Sequence, residues 1–148
     1  MVKGQSALDF LMTYGWALLL IVLAVGALFA LGVFNTGSFV GARAVGFTQI
    51  GVSAWRVNGS GNFTVQLANR AGTDVNVTNI TSTYLGNTFV TNQTVSISNG
   101  ATSATLAIAN MTGVTAGATY SVPMSIIYVD RLTGFVYQTS GTLTGIVG

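Results

Sequence analysis

FLMTYGWALLLIVLAVGALFALGVF, residues 10–34, runs for twenty-five positions without a charged side chain. A helix needs about twenty apolar residues to cross a membrane. The run is apolar on every side, so as a helix it has no face for water and belongs in lipid or among other helices. It meets Asn35-Thr36-Gly37-Ser38, which reads as a C-cap and short hinge. Beyond Phe39 the pattern switches to period two. In residues 62–68, Phe63, Val65 and Leu67 share one face, and Tyr120, Val122, Met124, Ile126 and Tyr128 form a second such row. Val75 with Val77, Val95 with Ile97, Leu106 with Ile108, and Phe135 with Tyr137 continue the series.

Turn signals separate these rows: Asn58-Gly59-Ser60-Gly61, Arg70-Ala71-Gly72-Thr73, Gly86-Asn87, Ser98-Asn99-Gly100, Ala116-Gly117 and the stretch 130–134. Short alternating strands at this spacing predict a sandwich or barrel, and about 110 residues is the size of an immunoglobulin-like sandwich. The expected fold class is therefore α+β. A long N-terminal hydrophobic α-helix precedes an all-β immunoglobulin-like sandwich of roughly seven strands, the first within 44–57.

Composition narrows the chemistry. The 148 residues include no Cys and no His, which excludes thiol nucleophiles, disulfides, iron–sulfur clusters and imidazole-based sites. Charged residues make up 5% of the chain, against about 25% in an ordinary soluble domain. They are Lys3, Arg43, Arg56, Arg70 and Arg131 against Asp9, Asp74 and Asp130. The scattered cations form no patch for neutralising phosphates, so no nucleic-acid partner is expected. Two carboxylates in the β region are too few for acid–base catalysis or for a metal site, and no cofactor is expected. Asp130-Arg131, Arg70 and Asp74 read as solvated turn charges, and Trp55-Arg56 as edge packing. Twenty Thr and eleven Ser take the place of charge. Such residues suit β-strands with small polar outer faces, covered by glycan or by neighbouring subunits.

The N-terminus admits three readings. An ordinary secretory signal cut after small residues around Ala24-Val25-Gly26 conflicts with the length of the run and with Asp9. A plain membrane anchor explains the length but leaves a carboxylate at its start. The third places a processing site before the run, at Lys3-Gly4-Gln5. MVKGQSALDFLMTYGWALLLI resembles the class III signal peptide and helix of archaeal type IV pilins, and the β region resembles their small β-domains. The resemblance implies that residues 1–4 are a leader removed by a prepilin peptidase, with Gln5 first in the mature chain. It also implies that residues 5–36 form the helix of a filament core and 37–148 a globular exterior. Asp9 falls on the fifth mature position, where bacterial pilins more often carry Glu.

The physics fits that reading. A cut before the run leaves the helix on the mature protein, and the new α-amino group of Gln5 lies one turn from Asp9, within reach of a pair. Not counting Tyr14, sixteen large apolar side chains lie between Phe10 and Phe34. At ~1.5–3 kcal/mol each, exposing them to water costs roughly 25–50 kcal/mol. The subunit must therefore pass from lipid directly into a bundle of like helices. An assembly ATPase and membrane platform are the partners that the resemblance implies. Gly26 and Ala30 have the small-xxx-small spacing that lets helices approach closely, a spacing also common in any membrane helix. Tyr14 and Trp16 suit either an interfacial belt or filament packing.

Six Asn-x-Ser/Thr sequons lie in the β region, at Asn58, Asn62, Asn76, Asn79, Asn92 and Asn110. Each is a candidate glycan acceptor on an exported chain. The expected function is the structural subunit of an archaeal adhesion pilus on the cell surface, with a membrane precursor, identical subunits as partners, and surfaces or other cells as targets. Its rivals are an archaeal flagellar filament subunit and a monomeric membrane-anchored β-domain.

Overall fold

The computed structural model describes residues 3–31 and 41–148, with helical side chains from Ala7 onward. The chain divides into two compact units, residues 1–39 and 40–148. The first contains α1, Lys3–Ala30, 28 residues and about 42 Å long at 1.5 Å per residue. The cap expected at Asn35–Ser38 lies outside the described residues. No proline interrupts α1, and Phe10 and Tyr14, one turn apart, stack tilted rings 4.8 Å between centroids.

The second unit holds nine strands, β1 (Arg43–Val45), β2 (Ile50–Val57), β3 (Asn62–Asn69), β4 (Val75–Tyr84), β5 (Asn87–Thr91), β6 (Val95–Ile97), β7 (Leu106–Asn110), β8 (Thr119–Asp130) and β9 (Val136–Ile146). The two beyond the expected seven are accounted for by three-residue pieces: β1, which pairs with β9, and β6, which pairs with the start of β4. The strands form two antiparallel sheets. One runs β1-β9-β8-β4-β5 with β6 also on β4; the other runs β2-β3-β7.

The alternating rows turn inward from both sheets onto one core. Phe63, Val65 and Leu67 of β3 and Val122, Ile126 and Tyr128 of β8 are all buried in it. Phe135 departs from the expected row. It precedes β9 and is exposed, because the β8–β9 turn runs through residues 131–135. Tyr137 stays in register with Tyr128 and stacks on it at 5.6 Å, but at the open end of the core it is incompletely covered. Trp55 lies on the edge strand β2, half-buried, and its Nε1 donates to the Thr144 carbonyl at 3.3 Å.

Register fixes two ends of this unit. At the near end, where the chain leads in at Gly41, lie Arg43 opposite Thr144, the β2–β3 turn, the β4–β5 turn at Leu85-Gly86, and Ile146. At the far end lie the β3–β4 turn and the β8–β9 hairpin tip, with Val75 opposite Asp130.

Candidate assembly helix and modification sites

Residues 7–30 of α1 form one apolar segment with no buried side chains, about 36 Å long against a hydrocarbon core of about 30 Å. Leu18, Leu19, Leu20, Ile21, Val22 and Leu23 are exposed in unbroken succession, so the helix is apolar around its circumference. Such a helix gains its stability from whatever surrounds it. Gly15 and Gly26 lie on open helix surface. Lys3, Gly4 and Gln5 are in the first turn of α1, and Asp9 follows one turn after Gln5. Asp9 is exposed.

The six sequons gather into two groups. Asn62 and Asn110 stand opposite each other on β3 and β7, both exposed. Asn58 sits beside them, its Oδ1 accepting from the Ser60 N–H at 3.1 Å and the Asn62 N–H at 2.9 Å. This is an Asx turn that closes the β2–β3 connection. The second group lies on the six-stranded sheet. Asn79 Nδ2 donates to Asn92 Oδ1 at 2.7 Å, Thr81 Oγ1 donates to Asn79 Oδ1 at 3.1 Å, and Ser96 Oγ donates to Asn76 Oδ1 at 2.8 Å. Asn92-Gln93-Thr94 is exposed at all three positions and lies between β5 and β6, outside any strand. In Asn62-Phe63-Thr64, by contrast, the middle residue is fully buried.

Both carboxylates of the β unit are at the far end. Asp130 organises the hairpin: Leu132 N–H donates to its Oδ1 at 2.7 Å, Thr133 N–H to the same oxygen at 3.1 Å, and Thr73 Oγ1 to its Oδ2 at 2.9 Å. The Thr133 N–H above all, with the other donors, holds its carboxyl below the usual range. Asp74 meets Arg131 at 3.8 Å, an exposed pair that contributes little stability. Burial pushes the phenols of Tyr120 and Tyr128 up, and the Tyr128 hydroxyl bonds Gln49 Oε1 at 2.9 Å. These are core anchors.

The concavities of the β unit are shallow. One depression of about 590 Å³ lies over the outer face of the six-stranded sheet, floored by Thr81, Thr83, Pro123, Ser125, Ser140 and Thr142. It offers hydroxyls and a proline and no ionisable group. Among the described residues no three His, Cys, Asp or Glu side chains gather where a metal could bind. Two features escape the sequence reading: the exposure of the apolar β8–β9 tip, where Phe135 continues the apolar spacing but lies in the turn, and the left-handed backbone of Leu85, φ 47°, just before the Gly86-Asn87 turn signal. No protein-family model matches the chain, and no curated protein matches it either.

Proposed function

We propose that the chain is the structural subunit of an archaeal type IV adhesion pilus. The precursor sits in the membrane through α1, a prepilin peptidase cuts after Gly4, and an ATPase with a membrane platform drives polymerisation into a helical homopolymer. Helices fill the filament core and the β-domain faces outward. The carrying observation is α1 itself: apolar on all sides, with Lys3-Gly4-Gln5 in its first turn and Asp9 a turn later. A cut there keeps the apolar segment on the mature chain, and the roughly 25–50 kcal/mol cost of exposing it to water keeps that segment in lipid or bundle throughout. Asp9 and the new amino group then meet as a pair that sets register, because leaving either charge unpaired in the bundle is costly.

For the β unit we propose an immunoglobulin-like sandwich. Reading β2, β3, β4, β5, β7, β8 and β9 as strands A, B, C, C′, E, F and G, the pairings A-B-E and C′-C-F-G follow the Greek-key order of that fold. β1 is an addition on the G edge. The work of such a subunit is mechanical and multivalent, summing weak contacts over a repeated surface rather than carrying out catalysis. The hydroxyl-rich sheet faces and Asn92 are where a glycan would supply the hydration that charge does not.

Mass spectrometry of the N-terminal peptide, on protein sheared from the cell surface, tests the reading. A chain starting at Gln5 or its pyroglutamate form is expected. A start at Met1 would make α1 a plain anchor, and a start near Ala27 an ordinary secretory signal; either result overturns the pilin assignment. Filaments whose loss abolishes swimming would move the subunit to the flagellar class.

A further inference from the structure

The six sequons differ in what a glycosyltransferase would have to disturb to reach them. Transfer requires the asparagine amide and the hydroxyl two residues on to be gripped together, which a surface loop permits. In Asn62-Phe63-Thr64, Asn76-Val77-Thr78, Asn79-Ile80-Thr81 and Asn110-Met111-Thr112 the middle residue is a core side chain, none of the four more than 2% exposed. Engaging any of these on the folded domain means lifting that side chain out of the core. Asn58-Gly59-Ser60 has an exposed middle residue but is tied down as the β2–β3 turn. Gly59 N–H donates to the Gly148 carbonyl at 2.7 Å and Gly61 N–H to the Asn58 carbonyl at 2.9 Å, besides the two bonds into Asn58 Oδ1. Asn92-Gln93-Thr94 is bound by neither constraint. All three residues are exposed, none lies in a strand, and none takes part in a loop backbone hydrogen bond among the described residues.

The side chains sort the same way. Asn79 has both polar atoms engaged: its Oδ1 accepts from Thr81, the hydroxyl of its own sequon, and its Nδ2 donates to Asn92 Oδ1. Asn92 receives that bond on its oxygen. Its Nδ2, the atom to which a glycan is joined, has no hydrogen-bond partner among the described residues, and neither has the Thr94 hydroxyl. With 2.7 Å between Asn79 Nδ2 and Asn92 Oδ1, the two amides leave room for one glycan, so a sugar on Asn92 shuts Asn79 out.

We propose that Asn92 is the one N-glycan acceptor among the six sequons and that the fold selects it, the sugar being transferred after the β-domain has folded. The inference deepens the reading of an exported surface subunit and rests on it to place the domain outside the membrane. The donor is an oligosaccharide joined through its anomeric carbon to a membrane polyprenyl phosphate. Asn92 Nδ2 forms a bond to that carbon, and the bond from the carbon to the phosphate oxygen breaks. The lipid phosphate leaves with the electron pair, and the proton lost by the amide balances it. The product is a bulky, hydrated group at one fixed place on each copy of the chain.

The full chain would be made in cells whose surface proteins carry N-glycans, recovered from surface and membrane fractions, and its peptides read by mass spectrometry. Cleavage after Phe89 and Leu106 separates Asn92 from every other sequon. A glycan on that peptide and on no other is expected, and its complete loss in Asn92→Gln and in Thr94→Ala. A bare Asn92, a glycan on any of the other five, or one that persists in Thr94→Ala overturns the proposal. Synthetic peptides carrying the Asn62 and Asn79 sequons, given to membranes of the same cells, should be glycosylated, because nothing in them is folded. If they are refused, sequence and not the fold spares those sites, and the proposal falls. The same spectra give the N-terminus and so separate the two readings. A start at Gln5 with Asn92 bare sinks this inference alone. A glycan at Asn92 on a chain starting at Met1 upholds it and sinks the pilus reading.

Discussion

At the residue scale, a few positions fix the loops. Gly61 has φ 84°, and a Cβ there would drive into the Met111 carbonyl oxygen, with Asn110 Oδ1 at 3.0 Å behind it. Its carbonyl also accepts from the Met111 N–H at 2.7 Å, so the neighbouring strand cannot back away without breaking that bond. Gly61→Ala is expected to cost about 2–4 kcal/mol, strain and clash combined. A loss under about 1 kcal/mol by thermal or denaturant unfolding would show that the β2–β3 turn yields. Asp130 makes the β8–β9 hairpin the place where acid should act. Its carboxyl is held below the usual range by the Thr133 and Leu132 N–H groups and the Thr73 hydroxyl. Because the folded pKa is the lower one, the stabilisation is complete above the ordinary carboxylate range and is lost as pH falls through the folded value. Protection of the Leu132 and Thr133 amides against hydrogen exchange, corrected for the intrinsic rate, should therefore fall on acidification. In Asp130→Asn it should be low throughout and independent of pH. Protection in the parent chain that stays flat from neutrality down to pH 2 would refute this.

At the element scale, the strands that were legible in the sequence are those whose alternation runs unbroken. In β3 and β8 each buried position follows the last by two, and both turned the expected rows inward. β4 was harder to read. Val75 and Val77 point inward, then a bulge between Val77 and Asn79 shifts the phase, so Ile80 and Ser82 are the next buried residues. A bulge adds one residue to one strand only, which no period-two count can anticipate. The same shift keeps Asn79 and Thr81 off the core. The β8–β9 tip was misjudged because Phe135 continues the apolar spacing while the backbone is still turning. β1 and β6 are three residues long, too short to show any period. The helix was plain from the missing charges. The candidate processing residues were also plain, but through resemblance to a known pattern; no periodicity marks Lys3, Gly4 or Gln5. Which side chains gather at each end of the domain depends on tertiary register, which no local pattern in the sequence shows.

At the scale of the whole molecule, the two units follow different physical rules: a helix stable only in company and a β-domain with its own core. The chain passes between them through residues 32–42 and enters the β-domain along β1. Arg43, Ala44 and Val45 pair antiparallel with Thr144, Leu143 and Thr142, running from the near end inward. A tensile load pulling Gly41 away from the near end therefore acts along β1, in shear across three residue pairs. Behind them stand Phe47, packed over Gly141, and Thr48, whose N–H is held by Thr139 Oγ1 at 3.1 Å. Only then does the pull reach β2 and the core. β1 is thus a fuse. Its release, with residues 46–49, would free about 24 Å of contour, and the tether would gain that length less the span these residues already cover alongside β9, while the rest of the fold stays closed. Force spectroscopy on the full chain should show that short, reversible extension ahead of the main rupture. A single-step rupture would mean that β1 and the core yield together. A fibre whose subunits each give a little before any breaks would spread a sudden tug over many attachment points instead of losing them one at a time.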